Sequence, residues 1–337
     1  MFNDLLKRPD KNLEEIETLL KKEILKVQES HNVKESLFGS NGADIKFLLQ
    51  SYPSLFWSLW KFMDKKHLEK APCSIDPITK ALDKDGIYII ENFLTSQEVQ
   101  TLVKLWNHEF DALPPLTPEQ EQKALRNRFY FETSAEKNIA IGSTYDGRKR
   151  VIFSPKKHMP SEIQNQFYKD TRINEIVARY LRLDHVEPSA AIVEHFFAPD
   201  YYRNNDLWHI DNLSDQFKVM VILEDMKEND GPFKFIRRTH KIKKRYQDRY
   251  YKMYAINGMT TQEHNHFEDS FAKVKKAELG VLKAGDIVLF DTKIHHSFNY
   301  AYDGGSRKDM VLYFDHQPTL KNTILFHIDQ YLNFGLR

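Results

Sequence analysis

Between residues 190 and 314 the chain repeats one pattern, a short apolar run followed by turn residues, and that pattern leaves few folds open. The runs fall at 190–197, 217–223, 232–236, 279–282, 286–290 and 308–314. Each is too short for a stable helix, and each is bounded by Gly, Pro, Asn or Asp, so the reading is strand after strand. One break interrupts the series: residues 237–276 are charged and Tyr-rich and too long for a hairpin, and a helix or lid is expected there. Many short strands behind an early helical part predict a mainly β chain with flanking helices, built on a double-stranded β-helix of the jelly-roll, cupin-like kind.

The earlier residues fit this plan. Leu13, Ile16, Leu20, Ile24 and Val27 recur at three- and four-residue steps behind a capping Asn12, and a second helical region runs from Asp44 with an interruption at Pro53. Its aromatics Phe47, Phe56, Trp57, Trp60 and Phe62 read as packing a helical extension onto the main domain rather than as a substrate platform. Residues 71–77 carry two prolines and read as a linker, which puts the boundary near residue 78: a helical N-terminal extension over 1–78 and the main domain over 79–337. Ile87–Ile90 reads as a strand, Thr95 to Glu98 as a capping box that opens a helix, residues 113–119 as a surface loop, and 161–184 as helical. Two more strands flank a turn at Asp146-Gly147.

Composition narrows the class of partner. Lys+Arg 49 against Asp+Glu 48 leaves no general electrostatic grip on nucleic acid or on an anionic membrane, and no run of apolar residues is long enough to insert in one. With Cys73 as the single cysteine, an intrachain disulfide is impossible, and a reducing, cytoplasmic setting is expected. A small-molecule substrate is the remaining expectation.

The chemistry is carried by His209-Ile210-Asp211. On an extended chain an imidazole and a carboxylate two residues apart point to the same side and can share one ion. Two His and one carboxylate on one face of an octahedron is the arrangement of non-haem Fe(II) oxygenases, so a further His is needed, and His295 and His296 offer it.

These residues are part of an ordered set. After His209-x-Asp211 come Leu223-Glu224-Asp225, Asn229-Asp230-Gly231-Pro232, Thr239-His240-Lys241, Gly285-Asp286, His296 and, eleven residues on, Arg307; upstream, residues 81–94 read as an opening strand. The set resembles the phytanoyl-CoA dioxygenase family of Fe(II)/2-oxoglutarate oxygenases. The resemblance implies a catalytic iron held by His209, Asp211 and His296, with 2-oxoglutarate as cosubstrate and O2 as oxidant, and hydroxylation of a substrate C–H bond with release of succinate and carbon dioxide. It also implies that Arg307 grips the distal carboxylate of 2-oxoglutarate, which a guanidinium does with two parallel donors.

Two points stay open. Spacing from Asp291 and from Arg307 selects His296 as the third ligand, while the family's His-x-Ser pattern selects His295 through Ser297. The family's hydroxyl that assists Arg307 is replaced by Phe298, which leaves Ser297 as the substitute. In the family, halogenating members lack the carboxylate ligand, so Asp211 implies hydroxylation over halogenation; desaturation, cyclisation on the same site, and a catalytically silent cupin-like binder are the other readings. The cations Lys241, Lys243, Lys244, Arg245 and Arg249 read as a solvated face ahead of a contact to an anionic substrate.

Overall fold

The computed structural model describes residues 13–30, 42–70, 76–111, 113–127, 129–133, 138–142, 148–155, 159–197, 201–202, 208–211, 215–242, 266–267, 276–298, 301–302 and 304–314. It opens with α1 (Leu13–Ser30), α2 (Gly42–Ser51) and α3 (Pro53–Lys70). Ile16, Leu20, Ile24 and Val27 are all buried, as their helical spacing predicts. Phe56 and Trp57 are buried and meet edge to face with centroids 5.1 Å apart, Trp60 and Phe62 are half-buried, and Phe47 is 66% exposed. Among the described residues no helix is long and apolar enough to cross a membrane.

Next comes α4 (Pro77–Asp85), capped by Asp76, whose carboxylate accepts from the Thr79 backbone N–H at 2.9 Å, and closed by Gly86 at φ 79°. That left-handed turn feeds straight into β1 (Ile87–Ile90). The capping box is in place: Glu98 accepts from the Thr95 N–H at 2.6 Å and opens α5 (Ser96–Asp111). Of the stretch read as loop, residues 118 and 119 instead begin α6 (Pro118–Asn127), where Thr117 and Gln120 form a second capping pair. Then follow β2 (Phe129–Thr133), β3 (Asn138–Gly142) and β4 (Arg148–Phe153), a short helical stretch over 161–168, and α7 (Thr171–Leu181).

The remaining elements are strands: β5 (Ala190–Phe197), β6 (Tyr201–Tyr202), β7 (Trp208–His209), β8 (Phe217–Ile222), β9 (Phe233–Ile236), β10 (His266–Phe267), β11 (Glu278–Gly280), β12 (Ile287–Asp291), β13 (His295–Phe298), β14 (Ala301–Tyr302) and β15 (Ser306–Phe314). Eight of the strands form one antiparallel sheet in the order β1-β12-β8-β15-β5-β4-β3-β2, five form a second in the order β10-β7-β13-β9-β11, and β6 pairs with β14. Most of the 237–276 break and the turn at Asp146-Gly147 lie outside the described residues, as do Asn12 and residues 71–75 of the linker. What is described of the break includes a strand, β10, set beside His209.

Alternation sorts the large sheet into two faces. Val219, Val221, Leu289, Leu312 and Val193 turn outward onto Leu82, Leu102, Trp106, Val177 and Leu181 of the helices. Met220, Ile222, Val288 and Phe290 turn inward and meet Phe233 and Phe235 of the small sheet. Two antiparallel sheets closed over a shared apolar interior, with helices against one outer face, make the double-stranded β-helix.

Candidate metal centre

The site forms where the small sheet reaches its neighbour. β7 lies beside β13 with His209 directly opposite His296, so the two imidazoles project from the same face of adjacent strands, ring centroids 4.5 Å apart. Asp211 leaves the end of β7 and is held there by its own backbone, whose N–H donates to the Thr292 carbonyl at 2.9 Å in the turn that precedes β13. That bond ties the ligand loop to the strand that supplies His296.

Ligand atoms from His209, Asp211 and His296 lie within 4.8 Å of one another. His209 Nε2 is 3.7 Å from Asp211 Oδ1, and His296 Nε2 is 3.5 Å from Asp211 Oδ2. His296 Nδ1 lies 2.9 Å from the Ile294 carbonyl and donates to it, which fixes the tautomer and leaves Nε2 as a lone-pair donor aimed at the group. The donor set of two imidazoles and one carboxylate suits a divalent first-row ion.

The ionisation states suit it as well. Burial, with Phe233 and Phe290 rings 5.7 and 5.3 Å from its own, pushes the His296 pKa down to about 4 despite the nearby Asp211 charge, so the ring is neutral at pH 7. For Asp211 burial acts the other way, but the Lys218 ammonium at 3.0 Å, with His296 and His209, outweighs it and holds the carboxyl well below the usual range.

His295 faces away. It sits opposite Ile236 on the other side of β13, 1% exposed, its backbone N–H donating to the Thr239 hydroxyl at 2.9 Å. Ser297 shares that face, opposite Lys234, and its hydroxyl donates to the Phe298 carbonyl at 3.2 Å. The strand's alternation therefore separates Ser297 from the group that holds His296, and the expectation that it stands in for the assisting hydroxyl fails on geometry.

Arg307 does face the interior, with its guanidinium 3.7 Å from the centre of the Phe298 ring. It is 3% exposed and donates through Nε to Asp309 at 2.7 Å, through Nη1 to the Gly231 carbonyl at 2.7 Å and through Nη2 to Glu194 at 2.9 Å. Glu194 is also paired with Arg150. Burial raises the Asp309 carboxyl to about 6, with Arg307 opposing the rise and Glu194 adding to it. Of the basic stretch after β9, Arg237 and Arg238 are spent on Asp85 and Glu278, and Lys243, Lys244, Arg245 and Arg249 lie outside the described residues.

Sequence reasoning missed Lys218, Glu194 and Asp309. Lys218 and Glu194 each carry a charge inside an otherwise apolar strand run, and that misplacement was the available signal, whereas Asp309 follows Arg307 and Lys308 and gives no such signal.

Fold and site together define a jelly-roll protein whose interior brings two His and one carboxylate together in a cluster able to hold a metal ion. The chain belongs to the phytanoyl-CoA dioxygenase (PhyH) family, whose profile matches residues 82–299 and so takes in His209, Asp211 and His296. Among solved structures it is similar to HygX from Streptomyces hygroscopicus with nickel and 2-oxoglutarate bound, at 14% identity over 73% of this chain and 89% of that one, TM-score 0.46. It is likewise similar to EctD from S. alaskensis, at 17% identity over 74% and 79%, TM-score 0.47. A third is SnoK, a non-haem alpha-ketoglutarate-dependent carbocyclase from nogalamycin biosynthesis, at 15% identity over 72% and 84%, TM-score 0.45. Comparison with curated protein sequences gives no match.

Proposed function

We propose that the chain is an Fe(II)- and 2-oxoglutarate-dependent dioxygenase that hydroxylates a C–H bond of a small-molecule substrate and releases succinate and carbon dioxide. The observation that carries this reading is the convergence of His209, Asp211 and His296 on one interior point of the barrel. His209, Asp211 and His296 would hold the iron, and the oxo acid and O2 would take the positions these three leave free. The bound iron, with its oxo acid, supplies the oxidising chemistry.

The protein's part is orientation and exclusion of water. The Ile294 carbonyl locks His296, the Thr292 carbonyl locks the Asp211 backbone, and the rings of Phe233 and Phe290 line the side of His296 that faces the core. Arg307 is the proposed anchor for the distal carboxylate of the oxo acid. To serve, it must share its donors with that carboxylate, and Glu194 can give way because Arg150 still holds it.

Purified protein supplied with Fe(II), 2-oxoglutarate and O2 should form succinate even without its substrate, slowly, and the Asp211→Ala variant should form none. Absence of succinate from folded, iron-loaded protein over a panel of small metabolites would reject the reading in favour of a silent binding protein.

A further inference from the structure

Lys218 keeps Asp211 ionised, but it also sets a second cation where a metal ion would bind. Its Nζ lies 3.0 Å from Asp211 Oδ2 and 4.4 Å from the centre of the Tyr313 ring, and its side chain is 12% exposed. The register of β8 fixes it there, between Phe290 of β12 and Tyr313 of β15, on the inward face with Met220 and Ile222. An ammonium on a ligand carboxylate opposes a metal ion twice. It competes for the same oxygen, and it repels the dication across a few ångströms of poorly screened interior.

Charged side chains described around the site show what could offset that repulsion. Arg307 and Arg150 are matched by Glu194 and Asp309, and Lys218 is matched by Asp211, so these six side chains sum to zero. A divalent ion alone leaves two uncompensated positive charges in a low-dielectric site, and a dianionic chelator removes both. Without Lys218, the ion and Asp211 would sum to one positive charge, and the same dianion would overshoot to one negative.

We propose that Lys218 is a positioning residue that couples metal retention to the dianionic oxo acid: it loosens the bare ion and favours the ion with its chelator. The inference rests on the iron and oxo-acid reading above. Coupling of this kind is reciprocal, so the oxo acid also binds more tightly once the metal is present. A purely structural Lys218, serving only to aim Asp211, would have the opposite signature, since losing a residue that merely orients a ligand weakens the metal whether or not the chelator is there.

The test is a Mn(II) titration read by electron paramagnetic resonance, with and without 2-oxoglutarate, on wild type, Lys218→Met and Lys218→Arg, each checked for folding by circular dichroism. Without 2-oxoglutarate, Lys218→Met should bind Mn(II) about tenfold or more tightly than wild type. The factor by which 2-oxoglutarate tightens Mn(II) should fall by about tenfold in Lys218→Met and be kept in Lys218→Arg. Equal or weaker Mn(II) binding by Lys218→Met overturns the inference, and so does an unchanged coupling factor. Should Lys218→Met fail to fold, Lys218→Gln carries the same expectations, and the wild type alone still decides one point: no tightening of Mn(II) by 2-oxoglutarate overturns the inference without any variant. If wild type binds Mn(II) and His296→Ala does not, the metal centre stands whatever Lys218 does; if wild type binds none, the metal centre itself falls.

Discussion

Replacing Arg307 by Met tests the interior charge network before it tests any cosubstrate. The guanidinium is 3% exposed and is the shared partner of Glu194 and Asp309, which are 5% and 1% exposed and stand directly opposite each other on β5 and β15. Like charges opposite each other on paired strands repel, so the cation between them is what makes the pair tolerable. Removing one member of a buried ionic network costs about 3–5 kcal/mol, because the remaining charges stay buried. The loss should depend on pH. Asp309 already titrates near 6 through burial, so between about 4 and 6 the folded protein holds a proton that the unfolded chain has given up, and stability falls as pH rises through that window. Without Arg307 the carboxyl moves higher still, the window extends upward, and Arg307→Met should be more destabilising at pH 8 than at pH 5.5. Urea unfolding of metal-free protein, followed by tryptophan fluorescence, measures this. The triple change Arg307→Met, Glu194→Gln and Asp309→Asn should recover much of the loss, since replacing a whole buried network is far milder than breaking it. A loss below about 1 kcal/mol, typical of an exposed pair, would refute the network. It follows that Arg307→Ala is a poor probe of 2-oxoglutarate affinity unless its folding is measured alongside.

Other perturbations follow from single contacts. His296→Ala should abolish metal binding, whereas His295→Ala should keep the metal and lose at most about 10–100-fold in activity, as measured by metal titration and succinate formation. Gly86→Ala should lower the melting temperature, because a Cβ there would stand 2.5 Å from His240 Nδ1 on a backbone at φ 79°; an unchanged melting temperature would contradict the packing of α4 against that ring. Burial, with Lys149 and Lys308 nearby, depresses His195 to about 4 where it packs on Trp106, with Glu194 opposing. The unfolded chain therefore takes up this proton first as pH falls from about 6.5 towards 4, stability is lost in that range, and His195→Gln should flatten that part of the stability profile measured by urea unfolding.

The parts of this molecule that could be read from sequence are those set by local periodicity. Short apolar runs bounded by turn residues mark β5, β8, β12 and β15 to within two residues, and Thr95 with Glu98 marks the start of α5. His209 and Asp211 were legible because two residues apart on an extended chain means one shared face, and His296 because its distance from Asp291 and Arg307 is fixed by a short turn and a hairpin. Neighbours on a strand face opposite sides, so the alternation that turns His296 toward Asp211 turns Ser297 away from it. What could not be read is pairing between strands far apart in sequence. Glu194 meets Asp309 across 115 positions only because β5 and β15 are neighbours in the sheet, and nothing local to either strand specifies that register. Lys218 is buried only because the second sheet closes over its face of β8, and nothing local to that strand specifies this. The start of α6 was taken for loop because its prolines drew more weight than the Thr117 and Gln120 cap behind them.

The most direct test of the central claim is optical. Metal-free protein held anaerobically and given Fe(II) and 2-oxoglutarate together should develop a visible charge-transfer band that neither addition produces alone, because an oxo acid must chelate iron through two adjacent positions left open by His209, Asp211 and His296. The band should survive His295→Ala and vanish in His296→Ala. A folded, iron-loaded protein that shows no band with 2-oxoglutarate, or one whose band persists without His296, would contradict the account.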